Sequence, residues 1–241
     1  MRKLLALIAV GLSTLFVAPA AIQAADMPYY PPEVEVPDVD YGLEGSFYLR
    51  GSVAGNFMWA REVVYACGCG PTSFDVEKFG YGYSFGAGIG YEFGDGLRAD
   101  VTVDYLANDK MYAPLQNPPD NITVGLRSTV ALANVYYDFG LSEGGSAGGG
   151  FGAYVGAGLG FAKYEIADIA PPPGNAPSGS GITGAGALMA GVTYDMGAVV
   201  ADLGYRALYM PVFTNGSTTS PLYVNDNFIH ELRGTVRYRF N

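Results

Sequence analysis

The chain has 241 residues, among them 35 Gly and 19 Tyr, with only 15% charged residues and a formal net charge of −10. This composition is too apolar and aromatic for a disordered chain, and it lacks the basic footprint of a nucleic-acid binder. Beyond the N-terminal residues no apolar run is long enough to cross a bilayer as a helix, so a helical membrane protein is excluded.

The chain opens with "MRKLLALIAVGLSTLFVAPAAIQAADMP". Arg2 and Lys3 form a charged start, Leu4–Val17 an apolar stretch and Ala18–Ala25 a zone of small residues, the pattern of a secretory signal peptide. The expected cut follows Ala24 and leaves Ile22 at the −3 position. The apolar stretch is shorter than the roughly 20 residues an anchor helix needs. Without residues 1–24 the chain carries 11 Lys+Arg against 23 Asp+Glu, a net of −12. Residues 25–44 begin "ADMPYYPPEVEVPDVD", a Pro-rich acidic segment without periodicity, which reads as a periplasmic linker. Residues 45–241 read as one domain of repeated strands.

Eight segments in that domain alternate with period 2, the mark of strands with two unlike faces. In the first, "SFYLRGSVAGNFMW", Phe47, Leu49, Gly51, Val53, Gly55, Phe57 and Trp59 oppose Tyr48, Arg50, Ser52, Ala54 and Asn56. The second, "FGYGYSFGAGIGYEFG" (79–94), sets aromatic and aliphatic residues against a face that is almost all glycine. The third sets Leu97, Val101, Val103 and Tyr105 against Arg98, Asp100, Thr102 and Asp104. The fourth sets Ala131, Val135, Tyr137 and Phe139 against Leu132, Asn134, Tyr136 and Asp138. The fifth returns to glycine, with Val155, Leu159 and Phe161 against Gly156, Gly158 and Gly160. The sixth is the weakest, with Leu188, Val192 and Tyr194 on its better face. The seventh opposes Leu203, Tyr205 and Tyr209 to Asp202 and Arg206, and the eighth opposes Leu232, Val236, Tyr238 and Phe240 to Glu231, Arg233, Arg237 and Arg239.

The connections alternate too. Long ones centre on 62–77, 107–121, 166–181 and 211–226, while those after the second, fourth and sixth segments are short or Gly-rich. Short turns at one end, long loops at the other and an even strand count describe an all-β, eight-stranded antiparallel transmembrane up-and-down β-barrel. In lipid such a sheet must close, because an open edge leaves backbone groups unpaired. The apolar and aromatic faces then meet hydrocarbon and the other faces line the lumen. Arg or Lys on the lipid face at mid-depth would cost ~2–4 kcal/mol, whereas a lumenal charge is tolerated. By this register Arg50, Glu92, Arg98, Asp100, Asp104, Asp138, Asp202, Arg206, Glu231, Arg233, Arg237 and Arg239 all point inward. A soluble sandwich would instead have to put those charges in water and pack the aromatic rows together.

The chain also resembles the small outer-membrane β-barrel proteins of Gram-negative bacteria, of the porin-family or opacity type. The resemblance spans roughly residues 20–241. It rests on "AADMP", "NVYYDFG", "YVGAGLGFA", "AGVTYDM", "DLGYRALYM" and "HELRGTVRYRF", taken in that order and spacing. It implies that the last strand, with Tyr238 and Phe240, serves as the signal read by the barrel assembly machinery. Two departures stand out: Asn241 follows Phe240, and Gly234 sits one place earlier than the family's glycine. The implied location is the cell outer membrane.

Six Arg and six acids in so narrow a lumen favour an internal salt-bridge network over an open channel. Catalysis and cofactor binding are not expected. The one histidine, His230, has no serine in the His-x-Ser arrangement of lipid A deacylases, and "GAGIG" and "GAGLG" lack the spacing of a nucleotide loop. No metal site is expected either. Cys67 and Cys69 fall in the first long loop, where a disulfide across Gly68 competes with free or intermolecular thiols. Arg61, Arg127 and Lys163 carry the lipid-facing parity at the long-loop end of their strands. There they could meet lipopolysaccharide phosphates, or simply snorkel to the interface. The expected role is structural, maintaining the envelope and presenting surface loops. A narrow pore and a surface adhesin or ligand-binding barrel are the rivals.

Overall fold

The computed structural model describes residues 45–67, 70–75, 80–114, 121–140, 150–170, 178–218 and 221–240. The signal peptide and linker assigned to residues 1–44 lie outside the described residues, as does Cys69. Among the described residues nine strands form: β1 (Ser46–Cys67), β2 (Gly70–Asp75), β3 (Gly80–Glu92), β4 (Leu97–Pro114), β5 (Asn121–Gly140), β6 (Gly150–Ala170), β7 (Gly179–Asp195), β8 (Val199–Thr214) and β9 (Leu222–Phe240). Every pairing is antiparallel, and β1 also pairs with β9 from Phe47↔Phe240 to Tyr65↔Leu222. That seam closes β1 and β3–β9 into an eight-stranded up-and-down barrel. The short β2 pairs only with the far end of β1, as a hairpin arm.

Period-2 alternation sets the two surfaces of the wall. Phe47, Leu49 and Val53 of β1, Ile89 of β3, Leu159 of β6 and Leu232 of β9 are all exposed, while their neighbours in sequence turn inward. Bare apolar side chains over a whole outer surface would aggregate in water, whereas in hydrocarbon they form the lipid-facing band of a membrane barrel. At the turn end of the barrel aromatic rings meet one another across and along strands, as in Phe47–Tyr91 at 4.9 Å and Phe151–Tyr194 at 4.9 Å between centroids. They form the girdle expected at an interface. The turns there are tight. The β3–β4 turn closes with the Phe93 amide donating to the Leu97 carbonyl at 2.8 Å, and Gly96 supplies the positive φ (80°) that an L-side chain rarely adopts.

The glycine face of β3 now has a steric reason. A Cβ on Gly90 would lie 2.5 Å from the Tyr48 ring and 2.6 Å from Asp100 Cβ, and one on Gly88 would lie 2.6 Å from the Val101 carbonyl oxygen. Gly156 and Gly158 of β6 likewise run under Tyr136 and Asn134. The absent side chains make room for large lumenal ones on the adjacent strands.

One expectation is corrected. The strands are 13 to 22 residues long across the barrel, and much of the long connections is itself strand. β1 continues to Cys67, β6 to Ala170, and β9 begins at Leu222. Each strand keeps a partner beyond the lipid band, so its backbone stays hydrogen-bonded. The longer strands also carry a different inward face. In the extended half the inward residues are mostly apolar, including Met58, Val63, Leu106, Leu126, Ile166, Leu208, Met210, Phe213 and Val224, all essentially buried, with Asn108, Ser128 and Asn227 as buried polar exceptions. The lumen is therefore charged toward the turns and largely hydrophobic toward the other end.

Candidate functional site

The charged half of the lumen is organised in two tiers. Above, four residues from three strands make a closed square. Asp104 of β4 binds the Arg206 guanidinium of β8 at 2.6 Å and that of Arg233 of β9 at 2.7 Å. Glu231 of β9 also pairs with both, with Arg233 at 3.3 Å and with Arg206 through its Nε. The Ser84 hydroxyl donates to Glu231 at 2.6 Å, and Arg233 donates to Ser52 at 2.5 Å. Two cations and two anions cancel with almost no exposure to water, so each charge has its counter-charge in direct contact, as burial requires.

Below, a longer chain of pairs runs toward the turns. Asp100 accepts from Arg50 at 2.8 Å, from the Tyr48 hydroxyl at 2.9 Å and from the Asn134 amide at 2.7 Å. Arg98 pairs with Asp138 at 2.8 Å and lies over the Tyr136 ring at 3.8 Å, a stacking that suits a planar guanidinium. Arg237 joins Glu92 at 2.6 Å and Asp202 at 3.1 Å, and Arg239 joins Glu92 at 2.7 Å. All twelve residues assigned to the lumen from sequence thus lie inside it and touch a counter-charge.

A seventh acid, Asp195 at the end of β7, pairs with Arg239 at 2.6 Å. Among the described residues the count is therefore six Arg to seven acids, not six to six. The signal for Asp195 was present, since Tyr194 points outward and its neighbour must then point in. Its position at the strand end, beside the Gly197 turn, concealed it. Alternation already turns Tyr48 and Tyr136 inward, but which charges these rings meet is legible only once their facing strands are known.

The remaining assignments fall outside the lumen. Arg61 is exposed and 3.9 Å from Asp226, and Arg127 binds Asp109 at 2.7 Å, while Lys163 is exposed on the outer face without an acidic partner among the described residues. Two of these three cations are therefore already engaged by carboxylates. Tyr238 and Phe240 point outward from β9, with their rings 5.3 Å apart. Cys67 ends β1, but its side chain and Cys69 lie outside the described residues. His230 sits on the outer face, stacked on Phe57 at 4.8 Å and hydrogen-bonded through Nδ1 to the Tyr205 hydroxyl. Among the described residues no group of three or more His, Cys, Asp or Glu side chains is placed to hold a metal ion.

Comparison with known proteins agrees with this architecture. An uncharacterized protein of Brucella abortus strain 2308 is 32% identical over 235 residues, covering 83% of this chain and 80% of its own. Counterparts in Brucella suis biovar 1 and Brucella melitensis biotype 1 match equally. Among solved structures, OprG of Pseudomonas aeruginosa shares the fold at 14% identity, with a TM-score of 0.52 over 81% of this chain and 97% of that one. Neisserial surface protein A aligns at 21% identity and a TM-score of 0.49 over 81% and 99%. Residues 9–240 match the model of the outer membrane protein beta-barrel domain, and the chain belongs to that family of outer-membrane β-barrels.

Proposed function

We propose that the protein is a structural barrel of the outer membrane, which contributes to envelope integrity and presents its long-strand end at the cell surface without conducting along its axis. The observation that carries this reading is the Asp104–Arg206–Glu231–Arg233 square, which spans the lumen with charges fully paired to one another. An ion-selective pore needs charges that face water and exchange partners with the permeant ion, whereas these are committed to each other. The apolar core stacked above the square adds a second barrier on the same axis. In this reading the signal peptide is removed after Ala24, the assembly machinery reads Tyr238 and Phe240, and lipopolysaccharide packs around the outer rim.

The test is single-channel recording in planar bilayers with protein whose barrel is verified by heat-modifiable gel mobility. The structural reading expects no unitary steps. Steps of constant size from the folded protein would replace it with a narrow pore.

A further inference from the structure

The wall of the barrel has a window. The β7–β8 ladder ends at Gly186↔Tyr209, although both strands continue for several residues. Beyond that point β7 remains paired on its other side as far as Ile166↔Gly179, and β8 on its other side as far as Thr214↔Tyr223. Between them Ser180–Ala185 and Met210–Thr214 face each other unpaired. Higher up the gap closes again, because Gly179 runs so near the Asn215 backbone that no side chain would fit.

The sequence at the gap accounts for it. Pro211 has no amide hydrogen to give a neighbour, and proline is excluded from the interior of a sheet for that reason. Pro211 and Val212 are both exposed, so strict alternation fails there and the edge of β8 bends. The facing edge of β7 carries Gly181 and Gly184, and Gly184 leaves the outer face of that edge without a side chain. Behind the gap the lumen is mainly apolar, with Ala185, Met210, Phe213 and Ile166 buried and Thr183 the buried polar residue of the β7 edge. Gly184 lies ten residues from Tyr194 of the turn-end girdle. At ~3.3 Å per residue and ~40° of tilt that is about 25 Å, the height of the apolar band. The window therefore opens where the outer leaflet meets the headgroups.

One side chain crosses it. Tyr164 points inward from β6, passes beneath Gly181 and reaches Thr214 of β8. Its hydroxyl accepts from the Thr214 amide at 3.0 Å and donates to the Thr214 carbonyl at 3.4 Å. Its ring lies 4.7 Å from that of Phe213. This pair of hydrogen bonds stands in for one missing rung of the ladder. Unpaired backbone at membrane depth is tolerated only where it lines a protein cavity or meets another partner.

We propose that the β7–β8 window is a lateral portal through which an alkyl chain enters the apolar half of the lumen from the outer leaflet, with Tyr164 as its latch. The occupant is an alkyl chain because the window's depth, its glycine-bearing edge and its lining offer mostly hydrocarbon contact, with the hydroxyls of Tyr164, Thr183 and Thr214 as its few polar groups. The salt-bridge square below blocks any onward path along the axis, so the portal communicates with the leaflet and not with the periplasm.

The test places a tryptophan behind the window. Phe213→Trp is made in a Trp59→Phe background, which removes the only native Trp, and the full chain is reconstituted in vesicles of phospholipid brominated on its acyl chains. A parallel arm uses unlabelled vesicles with a brominated fatty acid. Leu203→Trp on the outer face and Tyr154→Trp in the lumen below the window serve as references. The portal predicts that Phe213→Trp loses fluorescence as Leu203→Trp does, while Tyr154→Trp keeps its own. Adding Tyr164→Phe should deepen that loss. Quenching in the first arm identifies a bilayer lipid as the source of the chain, and quenching in the second alone identifies a free single-chain amphiphile. If Phe213→Trp is quenched no more than Tyr154→Trp in both arms, with and without Tyr164→Phe, there is no portal. Met210→Trp replaces Phe213→Trp if gel mobility shows that the latter does not fold.

Discussion

Asp104→Asn removes one negative corner of the charge square while keeping the shape of the side chain. Asp104 is buried and accepts from Arg206 at 2.6 Å and Arg233 at 2.7 Å. After the change, both guanidinium groups must share Glu231, and a charge of about +1 is left uncompensated at side chains that are almost fully buried. Breaking a buried pair by removing one partner costs ~3–5 kcal/mol, because the surviving charge has lost its counter-ion and not its desolvation penalty. That is roughly two to four orders of magnitude in the folding equilibrium. The assay is guanidinium unfolding in lipid vesicles, followed by tryptophan fluorescence and by heat-modifiable mobility. Adding Arg233→Gln to Asp104→Asn restores neutrality, and the double variant should recover much of the loss. A single variant within ~1 kcal/mol of the parent, the range of an exposed pair, would show that the square is hydrated and that the sealed-lumen reasoning fails. Additive effects of the two substitutions would refute the direct coupling.

Gly88→Leu should block refolding or destabilise the barrel far more than Ile89→Leu. A Cβ at Gly88 already meets the Val101 carbonyl oxygen at 2.6 Å and Thr102 Cγ2 at 2.8 Å, whereas Ile89 is exposed to lipid. Overpacking costs ~1–3 kcal/mol and more where backbone is struck, so equal midpoints would mean that the lumen is loosely filled. Replacing Arg61, Arg127 and Lys163 together by Gln should reduce lipopolysaccharide retained on purification. Most of the effect should come from Lys163, because the other two already have Asp226 and Asp109. Unchanged retention would reduce all three to ordinary interfacial side chains.

Fold and facing were legible because alternation is a local property. Once Phe47, Leu49 and Val53 face hydrocarbon, Tyr48, Arg50 and Ser52 must face the lumen, and no knowledge of the neighbours is needed. Lumenal charge followed from the same parity. The partners did not. Nothing in the local sequence says that Asp104 meets Arg206 and Arg233, which lie 102 and 129 residues away. Strand ends were also hidden: β1 and β6 continue through segments that look like loops, because their pairing is sustained by neighbours distant in sequence.

The sequence by itself therefore determined the all-β class, the eight-strand closure, the lipid and lumen faces and all the charges inside except Asp195. Those follow from period, parity and the cost of charge in hydrocarbon, which each strand obeys separately. Only the tertiary structure decided which charges pair, that the far half of the lumen is largely apolar, and that the β7–β8 ladder stops at Gly186 and Tyr209. These depend on register and shear, which bring residues of different strands to one height, and a single strand carries no record of its neighbour's height.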